Sequence, residues 1–91
     1  MNQQAGFYLA ERRREIAQRI RQVRRRKGWT QQQVADLLGC SRKRYNSMER
    51  GRAELGVTEL DFLAKTFDVP ITFFFERAKA EREGLGEKLG L

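Results

Sequence analysis

The sequence predicts an all-α domain of five short helices. Three observations carry that prediction. Ile16, Ile20 and Val23 recur at i, i+4 and i+7, the spacing that lines up side chains on one face of a helix. Glycines and capping residues then divide the chain into blocks of helix length. No stretch of four or more residues alternates apolar and polar side chains with β-branched enrichment, as a half-buried strand would.

The first helix carries the Ile16/Ile20/Val23 stripe, with Leu9 and Ala17 extending it toward the N-terminus. It ends at Arg25, Arg26 and Lys27, followed by Gly28. Cations suit the negative end of a helix dipole, and a glycine just beyond tolerates the left-handed stop. Trp29, in the following turn, is expected to pack on the core. Thr30 reads as the N-cap of the second helix, and Gln33, three residues on, completes a capping box. Val34, Leu37 and Leu38 supply its buried side, and Gly39 is free to take positive φ at its end. Ser41 caps a third helix running to about Arg50. Its only apolar positions are Tyr45 and Met48, so it packs along one narrow line and offers the rest to something polar. Residues 51–57 read as a loop. Thr58 caps the fourth helix, which carries Leu60, Leu63, Ala64 and Phe67. Pro70 suits the first turn of the fifth, with Ile71, Phe74 and Phe75 inward and Phe73 pointing elsewhere. The organisation expected is an N-terminal extension at 1–10, a domain at 11–76, and a tail at 77–91 that prolongs the last helix or frays.

Composition narrows the function. A chain of 91 residues holds one small domain, whose core often leans on a second subunit. One cysteine makes no internal disulfide. With no histidine beside it, a four-ligand zinc site and a Ser-His or Cys-His nucleophile pair are both excluded. The expectation is therefore no enzyme, no metal and no cofactor. No apolar run approaches the roughly 18 residues of a membrane span. The N-terminal residues show no basic region followed by an apolar one, so the cytoplasm is the expected location. Lys and Arg total 19 against 12 Asp and Glu, a net charge of +7. The whole of it lies in residues 11–27, a +7 window. Residues 42–52 add +4, and residues 53–68 carry −3. Positive charge polarised in this way makes nucleic acid the first partner to consider.

Gln31 to Arg50, QQQVADLLGCSRKRYNSMER, carries the motif. Two helices of about eight residues meet at a short turn containing glycine, the form of a helix-turn-helix. Ala35 is small where the helices cross closely, Gly39 tolerates the turn, and Val34, Leu38, Cys40, Tyr45 and Met48 are apolar to hold the crossing. Cys40 is read as a small core residue. Tyr45 is read as filling the core with its ring while its hydroxyl reaches solvent or a phosphate. Over residues 16–76 the sequence resembles the lambda repressor and Cro-like helix-turn-helix domains, also called the xenobiotic-response-element family. The resemblance implies a compact five-helix, lambda-repressor-like DNA-binding fold in which helices 2 and 3 form the motif.

The resemblance also implies roles by position. Arg42 and Lys43 fall where the family contacts base edges, with Asn46 and Ser47 one turn further along the same face. Gln31 bonds a DNA phosphate and braces the reading residues, and Ser41 stands at the start of the third helix, where the family touches phosphate or the first base; it is assigned to phosphate. Arg44, Arg50 and Arg52 are assigned to phosphates. Arg24 and Glu49 match the pair that ties the first helix to the third. Arg and Lys suit the O6 and N7 acceptors of guanine, and Asn suits adenine, so G-containing half-sites are expected. Phe73 is expected at a dimer interface, with Phe7, Tyr8 and Leu9 as possible cover.

These readings lead to a sequence-specific regulator that binds double-stranded DNA as a homodimer on a palindrome, with residues 42–50 in the major groove. No membrane and no small-molecule ligand are expected. The alternative is an antitoxin-type interaction module that neutralises a partner protein through residues 76–91, including Leu85, Leu89 and Leu91, and autoregulates its operon.

Overall fold

The computed structural model describes residues 3–77. Four α-helices follow one another: α1 (Gln3–Arg26), α2 (Gln31–Leu38), α3 (Arg42–Glu49) and α4 (Val57–Phe67). A 3₁₀ turn (Ile71–Phe75) closes the domain. Among the described residues there is no strand. The tail beyond Arg77, with the leucines of the antitoxin reading, lies outside the described residues.

Local chemistry sets the helix ends. The Thr30 hydroxyl accepts from the Gln33 N–H at 3.1 Å, and the Gln33 side chain accepts from the Thr30 N–H at 2.9 Å. These bonds satisfy donors that the first helical turn leaves without partners. Gly39 ends α2 with φ 75°, and Ser41 caps α3 by accepting from the Arg44 N–H at 3.0 Å. The turn between α2 and α3 is therefore set by Gly39 and Ser41.

The core lies among the four α-helices and the 3₁₀ turn. Ile20, Val23, Val34, Ala35, Tyr45, Met48, Leu63, Phe67 and Phe74 are buried, and Trp29 and Cys40 pack against them from partly exposed positions. Ala35 is fully buried at the α2–α3 crossing. Gly51 has φ 71°, and a Cβ there would sit 2.9 Å from Arg14 Cα. Only a glycine lets the end of α3 lie so close to α1.

Several expectations are corrected. The fifth helix is a five-residue 3₁₀ turn, so the domain has four α-helices. A 3₁₀ turn brings i and i+3 into line, so Ile71 and Phe74 point inward together while Phe75, at i+4, is turned out and is 41% exposed. Phe73 is half-buried instead, with the Arg19 guanidinium over its ring at 5.3 Å from the centroid. The fourth helix is capped by Gly56, not Thr58. The Gly56 N–H donates to the Glu59 side chain at 3.0 Å, the half of a capping box that needs no side chain on the cap. Leu37 is exposed. At about 100° per residue it lies some 60° outside the arc that Val34, Leu38 and Ala35 bury.

The N-terminal segment is continuous with α1. From Ala5 to Glu11, all on that helix, no residue is buried, and Phe7, Tyr8 and Leu9 are exposed. The arginines of the basic block divide between two jobs. Arg12 donates to the Phe75 carbonyl at 3.1 Å, Arg19 donates to the Arg77 carbonyl at 3.3 Å, and Arg77 pairs with Glu15 at 3.1 Å. Arg12 and Arg19 thus hold the carbonyl end of the 3₁₀ turn against α1. Arg13 reaches Glu54 at 2.9 Å.

Candidate nucleic-acid interface

On α3, Tyr45, Met48 and Glu49 are buried. At about 100° per residue the opposite side is formed by Lys43, Ser47 and Arg50, with Arg42 and Asn46 on the flank toward α2 and Arg44 on the flank toward α4. Arg42, Lys43, Arg44 and Arg50 are exposed, and Asn46 and Ser47 are half-buried. Arg50 therefore shares a line with the base-reading candidates. Arg44 sits 3.5 Å from Glu59. Arg52 is exposed in the loop after α3. The Ser47 carbonyl organises that loop, accepting from the N–H groups of Arg50, Arg52 and Ala53 at 3.3, 2.9 and 3.3 Å.

A buried network orients this surface. Arg24 on α1 donates from Nε to Glu49 Oε2 at 2.6 Å and from Nη2 to Oε1 at 3.1 Å. Its remaining nitrogen donates to the Trp29 carbonyl at 2.7 Å. The bond to Glu49 holds the Arg24 guanidinium pKa above its ordinary value, against the desolvation that lowers it. Gln31, the first residue of α2, donates from Nε2 to Glu49 Oε1 at 3.0 Å and to Asn46 Oδ1 at 3.0 Å. One chain of contacts thus runs from α1 through α3 to α2 and back to Asn46 on the flank of α3. Both amide hydrogens of Gln31 are used within the protein.

The Tyr45 ring fills the core, but its hydroxyl reaches neither solvent nor the outer surface. It is buried without a hydrogen-bond partner. Burial pushes the phenol pKa well above its ordinary value. Glu49 adds to that rise and Arg24 opposes it. With the ring fully buried and the hydroxyl enclosed, the expected path to solvent or a phosphate is closed.

An open groove of about 460 Å³ lies between the C-terminal half of α1 and the N-termini of α2 and α3. Arg21, Arg25, Gln31, Arg42 and Asn46 are among the residues lining it. The sequence assignments omitted Arg21 and Arg25. The signal for them was present: they stand at i−3 and i+1 from Arg24, the residue that faces α3, so they flank the same side of α1. Arg14, Arg21 and Arg25 are spaced by seven and four residues, share that side and are exposed. The arrangement is an electropositive concavity with a rigid helix at its floor. It can take a polyanion along α1 while presenting amides and guanidinium groups to whatever lies beside α3.

The helix-turn-helix family model matches residues 20–74. The chain is 34% identical over 61 residues to a competence pilus inhibition repressor of Acinetobacter baylyi, covering 67% of this chain and 56% of that one. It is 30% identical over 71 residues to an uncharacterized HTH-type transcriptional regulator of Sinorhizobium medicae, covering 78% and 51%. It is 33% identical over 66 residues to an SPbeta prophage-derived uncharacterized HTH-type transcriptional regulator of Bacillus subtilis, covering 72% and 61%. The chain spans about half the length of the first two relatives.

Proposed function

The chain belongs to the Cro/C1-type helix-turn-helix family, and on that premise we propose that it is a sequence-specific regulator of transcription that binds double-stranded DNA as a homodimer. The observation that carries this reading is the surface of α3. One helix, held from behind by the Arg24–Glu49–Gln31 network, exposes Arg42, Lys43 and Arg50 with Asn46 and Ser47 beside them. An α-helix fits the major groove, and these side chains are of the types that read base edges there.

Phosphate contacts fall to the exposed cations around that helix. Arg21 and Arg25 line the groove, Arg14 continues the row along α1, and Arg44 and Arg52 border α3 on its far side. Ser41 keeps its hydroxyl hydrogen, because its oxygen is the acceptor in the cap. Gln31 contributes through its backbone N–H at the start of α2, a position favourable for phosphate, since its side-chain hydrogens are engaged. Phosphate contacts add affinity and salt dependence, whereas the base contacts carry the sequence.

A homodimer is supported by the N-terminal half of α1 and the 3₁₀ turn. Phe7, Tyr8, Leu9 and Phe75 are exposed, and residues 1–10 have no charged side chain in a chain of net charge +7. A contact there avoids bringing two cationic surfaces together and adds apolar burial to a small core. Phe75 takes the exposed position that the sequence assigned to Phe73. Twofold symmetry would set two α3 helices about one DNA turn apart on a palindromic operator.

The test is selection of bound sequences from random DNA duplexes at two salt concentrations. A palindromic consensus that persists at the higher salt supports the reading. Uniform binding to all duplexes, or to none, overturns it.

A further inference from the structure

We propose that two copies of this chain cross their α1 helices at a strip formed by Gly6 and Ala10, and that Gly6 is the residue that lets the two backbones close there. The crossing presupposes the homodimer reading and adds where the copies touch. The strip lies outside the family region matched at residues 20–74, on the part of α1 that overhangs the domain.

Gly6 lies inside α1, where glycine is less stable than alanine. Among the described residues, nothing in the single chain accounts for it. The glycines with positive φ are Gly28, Gly39 and Gly51, so no turn requires Gly6. At Gly51 a Cβ meets Arg14 backbone, but among the described residues a Cβ at Gly6 would meet no atom within 4 Å. A helical glycine that neither turns the chain nor admits its own backbone is suited to the backbone of another molecule.

The strip continues a buried face. Gly6 stands about five helical turns before Arg24 and about three before Ala17, and both of those residues are buried. The side of α1 that packs on the domain therefore runs on past its edge, at Gly6, which is exposed, and Ala10, which is half-buried. Phe7 and Leu9 rise about 80° to either side of that line and are 70% and 48% exposed. The result is a shallow channel with a floor of small residues and apolar walls. At its inner end it meets an open groove of about 210 Å³ lined by Leu9, Ile16, Leu55 and Leu60, among others. Tyr8 is on the opposite side of the helix, where the Arg77 guanidinium lies 5.9 Å from its ring centroid.

Charge selects the occupant. Residues 1–10 are the longest uncharged run in the sequence, directly before the +7 window at 11–27. Two copies of so cationic a chain repel wherever their basic surfaces meet. The overhang is where they approach without that repulsion, and a twofold axis through the strip sets the same floor and walls against themselves. An acidic partner would instead be drawn to the arginines.

The experiment is sedimentation equilibrium of the full chain as wild type, Gly6→Ala and Gly6→Leu, with circular dichroism of dilute samples to follow α1. Both substitutions remove a helical glycine, so helix content and melting temperature of the separated chain should hold or rise. In the dimer the added side chain holds the backbones apart. The dissociation constant is expected to rise about tenfold for G6A and about a hundredfold for G6L. Association weakened while the helix is strengthened is the signature, since better helix propensity alone would favour the dimer. A rise of less than about threefold for G6L overturns the crossing and leaves the homodimer in place. A wild-type chain that stays monomeric at every concentration overturns the homodimer reading itself.

Discussion

Arg24 and Glu49 meet in a two-point ion pair, at 2.6 and 3.1 Å, with side chains only 9% and 1% exposed. A point charge would leave the two helices free to roll against each other. A planar guanidinium matched to a planar carboxylate does not. Because Arg24 also holds the Trp29 carbonyl, one side chain sets α3 relative to both α1 and the turn that leads into α2. The orientation of the reading surface is thus decided beneath it.

Breaking this pair leaves a buried charge without its partner. Arg24→Ala or Glu49→Ala should lower stability by about 3–5 kcal/mol, read as a fall in the urea midpoint at unchanged slope. A loss under about 1 kcal/mol would mean that the pair is no more than a surface contact.

Tyr45→Phe removes a buried hydroxyl that has no hydrogen-bond partner. It should be neutral or stabilising, by up to about 1 kcal/mol at neutral pH. The pH dependence has a definite sign. The folded-state phenol pKa lies above the ordinary value of 10.0, so above that pH the unfolded chain releases a proton that the folded chain keeps. Stability contributed by the protonated phenol is complete below pH 10 and declines as pH rises beyond it. The Phe variant should lack that part of the alkaline decline. Identical alkaline denaturation profiles would contradict it.

The two groups of arginines on α1 should separate in salt titrations of DNA binding. Arg21 and Arg25 line the groove, and replacing both by Ala should flatten the plot of log affinity against log salt by about 2. Arg12 and Arg19 hold carbonyl groups of the C-terminal segment. Replacing them should leave the slope unchanged and lower the melting temperature. Equal slopes for the two double variants would show that charge, and not position, matters.

Gly51→Ala should cost more than Gly39→Ala. Both glycines have positive φ, a conformation that costs a residue with a Cβ about 1–2 kcal/mol. Around Gly39 the space for a Cβ is open, whereas at Gly51 it meets Arg14 backbone at 2.9 Å. Chemical denaturation of the two variants gives the comparison directly, and a smaller effect at Gly51 would rule out the close approach.

Phe7→Lys and Leu9→Lys place charge on the proposed subunit contact. Both residues are exposed in the single chain, so unfolding temperature at low concentration should hardly change. The dimer dissociation constant, measured by sedimentation equilibrium, should rise at least about tenfold, equivalent to about 1.4 kcal/mol. Unaltered dimerisation would move the contact elsewhere.

Much of the fold is legible in single residues. Thr30, Gln33, Gly39 and Ser41 act on the backbone within three or four positions, so α2, the turn and the start of α3 can be read from them. Some misreadings are local, as at the Gly56 cap and Leu37; others fall in the C-terminal segment, where period and distant packing intervene. Phe73 and Phe75 exchange roles because a 3₁₀ turn and an α-helix differ in period, and nothing local in a run of three phenylalanines selects between them. Arg12 and Arg19 look like the other cations of their block until the C-terminal carbonyls come to lie beside them.

The sequence by itself determined the class of the protein: an all-helical domain whose helix-turn-helix and basic residues direct it toward DNA. Periodicity, caps and charge are properties of short stretches, and they survive without knowledge of the whole. Only the tertiary structure decided which arginines hold the C-terminal carbonyls, where the Tyr45 hydroxyl ends, and that Gln31 ties Asn46 to Glu49. Those outcomes depend on contacts between residues 15 to 63 positions apart, and the geometry of a hydrogen bond is settled only when both partners are in place.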